Sequence, residues 1–399
     1  MPPRITAIHT HLMQAGGPPQ TGWSATGKSA LASSRNWLFV TVHTDDGRIG
    51  CGEGSGWPRV VATAVEGLGD FLVGEPVLSV ERLHQRMRTA LMGHGQVGTV
   101  GGGAIAAIDM ALWDLRAQAL GVPVCQLLGG PLRERVPYYT HASSVASAEA
   151  AVARGVQAIK VGGIAGVVER AYAIRAAVGP DIDLMVDLHG PPWLNAADAI
   201  AIGRELEPLG LLFLEEPVAS DDLPGWRRVR DKLALPLATG ERLSTLAEML
   251  PFITEGLVDV VQPDTGRFGG LTQMRKLAAI AEAHSLQFAP HSGSLGPLAE
   301  FAAVHLLGAL PNGLVLERMD PDWSERDTVI TQTLAIADGH IAVPTAPGLG
   351  TAIAAERIAQ FPSQRNLAIA SGGYHPGTEA ESLTLQARRQ RLQLFRKNA

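Results

Sequence analysis

The chain has 399 residues, 46% of them hydrophobic, and carries 33 Lys and Arg against 39 Asp and Glu, a net charge of −6. Such a length exceeds one small domain but accommodates an α/β barrel of about 250 residues beside a second unit of roughly 150. A net negative charge without a concentrated basic stripe excludes nucleic acid as the main partner, and no apolar run reaches the ~18 residues of a membrane span. The N-terminus MPPRITAIHTHLM lacks the apolar core of a signal peptide, so a cytoplasmic location is expected. Cys51 and Cys125 have neither metal-type spacing nor a disulfide framework and read as packing residues.

From the start, ITAIHTHLM, WLFVTVHT and RIGCGEG alternate enough to predict a small antiparallel sheet with a turn at Asp45-Asp46-Gly47. Between the first two lies a Gly-rich stretch, 14–35. Its Gly22-to-Ser29 segment formally fits a phosphate-binding loop with Lys28, but that loop must follow a buried strand and open a helix, and here AGGPPQT precedes it. A mobile loop is the better reading. Residues 60–121 read as helical. Gly93 to Gly98 fits a dinucleotide fingerprint only formally, since a helical stretch precedes it, and is expected to be a tight connection. The helix carrying Ile105, Ile108, Leu112 and Leu115 should stop at Gly121 and Pro123.

From YYTHAS at 138–143 to LVLER, short apolar runs alternate with helical stretches. The runs end on Lys160, Asp187, Glu215, Glu241, Asp264, His291 and Glu317, at steps of 27, 28, 26, 23, 27 and 26 residues. Each step is one βα unit. Parallel barrel strands present their C-terminal ends to one mouth, so these seven groups converge there. Beyond the barrel, HIAVPTAPGLG predicts another strand and a loop, TAIAAERIAQF a helix, and 381–397 an amphipathic tail.

Asp187, Glu215 and Glu241 end consecutive strands. Three carboxylates at close quarters raise one another's pKa values, and a hard divalent cation relieves that cost while leaving positions open for substrate oxygens. Mg2+ fits this all-oxygen set, since softer metals prefer His or Cys. Lys160 and His291 flank the triple as candidate bases, with Asp264 placed to orient the imidazole. Proton abstraction next to a carboxylate is the chemistry this predicts. Glu317, if protonated, is a candidate hydrogen-bond donor to the same substrate oxygens.

With these pieces in hand, the chain resembles the enolase superfamily, mandelate racemase subgroup, over nearly its whole length. Asp109-Met-Ala-Leu-Trp-Asp and PVCQLLGG carry the likeness in the first part. Lys160-Val-Gly, Asp187, Glu215-Glu-Pro, Gly240-Glu241-Arg, Gln262-Pro-Asp264, Pro290-His291 and Leu316-Glu317-Arg carry it in the barrel. The resemblance implies a (β/α)7β modified TIM barrel under an α+β capping domain, divided here as 1–130 capping, 131–325 barrel and 326–399 completing the cap. It also implies Mg2+ on the three strand-end carboxylates and a homo-oligomer, dimer or octamer.

Two departures from the mandelate racemase pattern bear on the reaction. Ala158-Ile159-Lys160 keeps the second lysine of the usual Lys-x-Lys and loses the first. Asp187-Leu188-His189 resembles the Asp-x-His of the galactonate and mannonate dehydratases, where this histidine acts near the leaving hydroxyl, and Gly-Glu-Arg points the same way. Asp264 excludes the branches that place a lysine on the sixth strand. The expected function is therefore dehydration of a sugar acid to a 2-keto-3-deoxy acid, with abstraction by His291 or Lys160 and His189 assisting loss of the β-hydroxyl. A racemase, epimerase or lactone cycloisomerase is the alternative, and nucleotide binding by Gly22 to Ser29 a remote one. Specificity is expected from the loop 14–35 and from GSGWPR, with Lys28, Trp57 and Arg59 the candidates to meet a distal hydroxyl or carboxylate.

Overall fold

The β-branched and aromatic runs at the start of the chain pair as the alternation predicts. In the computed structural model, which describes residues 2–15, 35–93, 95, 97–190, 193–293, 295–319, 323–363 and 393, β1 (Ile5–Ala15), β2 (Arg35–Thr44) and β3 (Ile49–Gly54) form an antiparallel sheet in that order. Gly47, at φ 84°, closes the turn into β3. Helices α1 (Pro58–Leu72), α2 (Val80–Met92) and α3 (Gly98–Leu120) follow, then the single turn α4 (Val124–Leu127). The Gly93-to-Gly98 stretch joins α2 to α3, and Gly121 ends α3 in the left-handed conformation.

Every residue of α3 from Gly101 to Leu115 is buried, because the helix lies between the sheet and the barrel. Two glycines permit the contact with the sheet. A Cβ on Gly50 or Gly52 would lie 2.2 or 2.0 Å from the backbone oxygens of Ala111 and Ala107. On the barrel side, Asp109 accepts from the Thr272 N–H at 2.9 Å, and Trp113 Nε1 donates to the Thr272 hydroxyl at 2.8 Å.

The barrel alternates strands and helices without interruption. Its first half is β4 (Arg135–His141), α5 (Val145–Ala153), β5 (Ala158–Gly162), α6 (Val167–Val178), β6 (Asp183–Asp187), α7 (Ala196–Leu206), β7 (Phe213–Glu215) and α8 (Leu223–Lys232). The second is β8 (Leu237–Thr239), α9 (Leu246–Thr254), β9 (Val260–Val261), α10 (Gly270–Ala283), β10 (Gln287–Phe288), α11 (Pro297–Ala309) and β11 (Leu316–Glu317). Each strand pairs in parallel with the next, Phe288 bridges to Gly313 just before β11, and β11 pairs in parallel with β4. The sheet is thus a closed (β/α)7β barrel. Tyr139, Ala158, Met185, Phe213, Ala238, Val260, Ala289 and Val315, one from each strand or its end, fill the inside as a separate apolar cluster. Ser144, Asn195, Asp222 and Thr245 cap the helices that follow β4, β6, β7 and β8, each side chain accepting a backbone N–H.

After the barrel the chain forms β12 (Ile336–Ala337) and β13 (His340–Ala342), and β13 pairs antiparallel with the first residues of β4. The helix expected over TAIAAERIAQF is only one turn, α12 (Ala355–Ile358). Extended pairing explains the shortening: Ala352 accepts from Thr331 N–H, and Ala354 N–H donates to Val329. The chain then returns to β1, where Met13 bridges to Pro362. The Gly22-to-Ser29 segment and, apart from residue 393, the 381–397 tail lie outside the described residues. Both cysteines are buried and free, and no described helix is long and apolar enough to cross a membrane.

Two buried histidines stitch these units together in their neutral form. His84 on α2 donates from Nε2 to Gly269 O at 3.0 Å. His305 on α11 accepts from the Cys125 N–H at Nδ1 and donates from Nε2 to Leu349 O, at 3.2 and 3.0 Å. Burial pushes both pKa values down to about 4. A histidine lowered in the fold contributes stability that is present above its unfolded pKa of about 6.5 and lost as pH falls toward 4, on the order of 2 kcal/mol per group by pH 5. His305→Gln should therefore lower the pH of the acid-unfolding midpoint, read by circular dichroism, although it weakens the fold at pH 7. An unchanged or higher midpoint would show that His305 does not drive the acid transition.

Candidate active site

Parallel register brings the polar strand ends level. His141 pairs with Lys160, Gly162 with Asp187, Asp187 with Glu215, and Glu317 with Tyr139, while Asp264 and His291 form a bridge beyond β9 and β10. Lys160 Nζ lies 2.8 Å from Glu215 Oε2, 2.8 Å from Glu317 Oε1 and 3.4 Å from Asp187 Oδ2. One ammonium thus joins the ends of four strands. His291 Nδ1 donates to Asp264 Oδ2 at 2.6 Å, and its Nε2 lies 2.6 Å from Glu241 Oε2 and 3.4 Å from Glu317 Oε2. Asp264 and His291, expected to act together, thus stand in direct contact. His189, partly exposed, places Nδ1 2.7 Å from Asp187 Oδ2, an ion-pair contact off the line of a hydrogen bond, and its backbone N–H donates to Oδ1 at 3.0 Å.

Burial and mutual charge set the ionisation of this cluster. Burial, then Asp187, raises Glu215 to about 7 despite Lys160. Glu241 would also be raised by burial, but His291 and Arg242 hold it well below the usual carboxylate range. Asp187 is likewise lowered, burial being outweighed by His189 and Lys160. Burial disfavours the charge on Lys160, yet Glu215 and Glu317 hold it well above its ordinary value. Asp187 raises His189 to about 9. Three carboxylate-bearing strands thus share one electrostatic environment, but Asp187, Glu215 and Glu241 are turned onto Lys160, His189, His291 and Arg242. Among the described residues, no three His, Cys, Asp or Glu side chains stand ready-placed as a metal ligand set.

Glu317 differs from its expected role. His141 Nε2 at 2.7 Å and the backbone N–H groups of Ser292 and Gly293 at 2.9 and 2.8 Å donate to it, and Lys160 Nζ pairs with it at 2.8 Å. Burial would raise its pKa, but Lys160 and His291 hold it well below the usual range. It is an ionised acceptor rather than a protonated donor. Arg59, expected to meet substrate, donates from Nη2 to Ser363 Oγ at 2.8 Å, joining the capping helix to the C-terminal segment. Trp57 is 48% exposed at the start of α1. Lys28 lies outside the described residues.

Several participants carried no expectation. His141 ends β4 one step before Lys160, but that step is 19 residues and falls outside the interval the other strands keep. Gln262 Nε2 donates to Glu215 Oε2 at 3.1 Å. Glu216, fully buried at φ 42°, turns to Arg242, which also contacts Glu241. Burial and Glu241 push Glu216 up to about 8. The doubled Glu-Glu and the Arg after Glu241 were the available signals.

Comparison with known proteins places this site in a lineage. Residues 143–357 match the family described as enolase C-terminal domain-like, and residues 24–129 match the mandelate racemase/muconate lactonizing enzyme N-terminal domain. The chain belongs to the enolase superfamily. Superfamily relatives include the D-galactonate dehydratase of Ralstonia pickettii (strain 12J), 33% identical over 83% of this chain and 93% of that protein. The D-galactonate dehydratase of Xanthomonas campestris pv. campestris (strain B100) is 36% identical over 79% of this chain and 88% of that one. Among solved enolase-superfamily structures, the 3,6-anhydro-D-galactonate cycloisomerase from Zobellia galactanivorans is 28% identical, with a TM-score of 0.82 over 90% of this chain and 100% of that chain. The mandelate racemase/muconate lactonizing enzyme-like protein from Roseovarius sp. TM1035 is 29% identical, with a TM-score of 0.81 over 91% and 96%.

The Glu216–Arg242 pair makes a separable prediction. Removing the cation leaves the buried Glu216 and Glu241 side chains without their shared partner, so Arg242→Met should destabilise the fold by roughly 2 to 4 kcal/mol. Adding Glu216→Gln should recover part of that loss, because a buried amide does not need the cation. Thermal unfolding of the two single variants and the double variant measures the coupling, and strictly additive effects would show that the two side chains act independently.

Proposed function

We propose that this enolase-superfamily chain is a Mg2+-dependent acid-sugar dehydratase, a hydro-lyase that removes the proton α to a carboxylate and the hydroxyl β to it. The observation that carries the reading is the placement of His189 on Asp187, with the Asp264–His291 pair on another strand end of the same mouth. Relatives named D-galactonate dehydratase support the same class.

Asp187, Glu215 and Glu241 would hold the metal. Their donor chemistry fits: three buried carboxylates from consecutive strands, all hard oxygen donors, with no sulfur among them. When bound there, a divalent cation supplies positive charge against substrate carboxylate oxygens as the α-proton leaves, and replaces the compensation that His189 and His291 give Asp187 and Glu241.

The protein's own groups divide the proton traffic. Asp264, accepting from Nδ1, holds the His291 ring so that Nε2 faces the mouth and takes the α-proton. His189 delivers a proton to the β-hydroxyl, which leaves as water. The C–H electron pair becomes the new double bond, and the resulting enol tautomerises to a 2-keto-3-deoxy acid. Lys160, enclosed by three carboxylates, stays charged and steadies them. A homo-oligomer in the cytoplasm belongs to the same reading.

The structural likeness to a cycloisomerase favours one alternative, in which Lys160 and His291 act on opposite faces of the α-carbon and no hydroxyl is lost. Metal removal and a product assay address both readings. Chelation should abolish turnover and Mg2+ restore it, and Glu215→Gln should lose metal binding measured by calorimetry while keeping its circular dichroism spectrum.

The division of labour has its own test. With D-galactonate and other sugar acids as probes, His189→Asn should lower formation of 2-keto product by roughly 10²- to 10⁴-fold while leaving exchange of the α-proton with deuterium detectable. His291→Asn should lose the exchange as well. Inversion or ring closure without any 2-keto product, together with a fully active His189→Asn, would replace dehydration with the isomerase reading.

A further inference from the structure

Asp264, whose only expected partner was His291, is held by four donors, one of which comes from outside the barrel. Its Oδ2 meets His291 Nδ1 at 2.6 Å and Arg267 Nη2 at 3.0 Å. Its Oδ1 accepts from the Gly266 N–H at 2.9 Å and from the hydroxyl of Ser55 at 3.1 Å. Ser55 lies one residue beyond β3, in the capping unit and 209 positions away in sequence.

The direction of the Ser55 bond follows from its neighbours. Arg267 Nε, which can only donate, points at Ser55 Oγ at 3.0 Å. The hydroxyl must therefore accept from the arginine and spend its one proton on the carboxylate. Both Asp264 oxygens are then occupied by two donors each, so the carboxylate has no free turn, and the ring it holds shares that restraint. The backbone repeats the contact: Ser55 N–H donates to Gly266 O at 2.9 Å. The cap and barrel backbones meet so closely that a Cβ on Gly266 would lie 3.2 Å from Ser55 N. Ser55 itself is 7% exposed, so water has little access to replace its hydroxyl.

We propose that Ser55 is a positioning residue for the proton-abstracting pair, so that the orientation of His291 depends on how the capping strand is seated on the barrel. This rests on the reading of His291 as the base. The capping unit then does more than cover the mouth: its strand end completes the setting of the base through Asp264. Glu53, two residues earlier on the same strand, reinforces the arrangement by accepting from the backbone N–H groups of Gly296 and Ala299, the latter at 3.0 Å, at the start of the helix that follows His291.

The test uses the full chain with Mg2+ and D-galactonate, together with crystal structures of the variants. Ser55→Ala should lower kcat by about 10- to 100-fold, the scale of losing an orienting partner. KM should change by less than about threefold, because no substrate contact is removed. In its crystal structure the Asp264 carboxylate should turn, and the His291 ring with it. A wild-type kcat in Ser55→Ala, or an Asp264–His291 pair with unaltered geometry, would overturn the inference. His291→Asn is run in parallel: if it keeps full turnover the reaction assignment fails, and the Ser55→Ala structure still decides whether Ser55 holds the pair.

Discussion

Charge compensation at the barrel mouth is the constraint on which the rest of the structure depends. Asp187, Glu215, Glu216, Glu241, Asp264 and Glu317 are each at most 8% exposed. Burying one unpaired carboxylate is already costly, and burying six requires a cation or donor against every oxygen that matters. Lys160, Arg242, Arg267 and the three histidines 141, 189 and 291 answer that demand from different strands and loops. The barrel register is what makes this possible, because level strand ends put an ammonium from β5 within reach of carboxylates from β6, β7 and β11. A fold selected for stability alone would use apolar residues here. Such a concentration of opposed charges with displaced pKa values is the mark of a site kept for chemistry.

The capping unit is joined to that mouth by buried polar bonds as much as by apolar contact. Asp109 and Trp113 grip Thr272, His84 grips Gly269, and Glu53 accepts the N–H groups at the start of α11. Burial pushes Glu53 and Asp109 up to about 7, so neither is a comfortable anion. Directional bonds of this kind fix register where apolar contact alone would tolerate sliding, and every one of them ends on a segment leading to or from β9 or β10. The relation of cap to barrel is thereby carried to Asp264 and His291.

Much of this was legible in the order of residues, for a definite reason. A βα unit of nearly constant length makes strand ends recur at a near-constant interval, so Lys160, Asp187, Glu215, Glu241, Asp264, His291 and Glu317 could be aligned without coordinates. What the interval could not supply was direction and partnership. Glu317 looks identical in sequence whether it donates or accepts, and only the ring of donors around it settles the matter. His141 escaped because its unit is shorter. Ser55 escaped because its partner lies 209 residues away, beyond any local pattern. Arg59 has the chemistry of a substrate anchor, and its bond to Ser363 was equally beyond any local pattern. The expected helix over TAIAAERIAQF failed because strand-like pairing of Ala352 and Ala354 competes for its backbone.

Arg242 links two features that are separate in sequence. Its guanidinium contacts Glu216 and Glu241, stacks over Trp193 at 4.8 Å, and reaches Gly190 O at 3.4 Å. Gly190 and Trp193 belong to the segment after β6 that carries His189. That histidine is therefore restrained from two sides, by its own contact with Asp187 and by a loop whose backbone and aromatic ring are held from the end of β8. Elimination needs such restraint more than proton exchange does. An acid serving a leaving hydroxyl must stand at a defined distance from the carboxylates that align the substrate, since a misplacement of about 1 Å can cost on the order of 100-fold in rate. Returning a proton to the α-carbon asks nothing of the loop after β6. The pairing of Asp-Leu-His at the end of one strand with Gly-Glu-Arg two strands away is thus one mechanical unit, and it supplies the restraint that the proposed elimination requires.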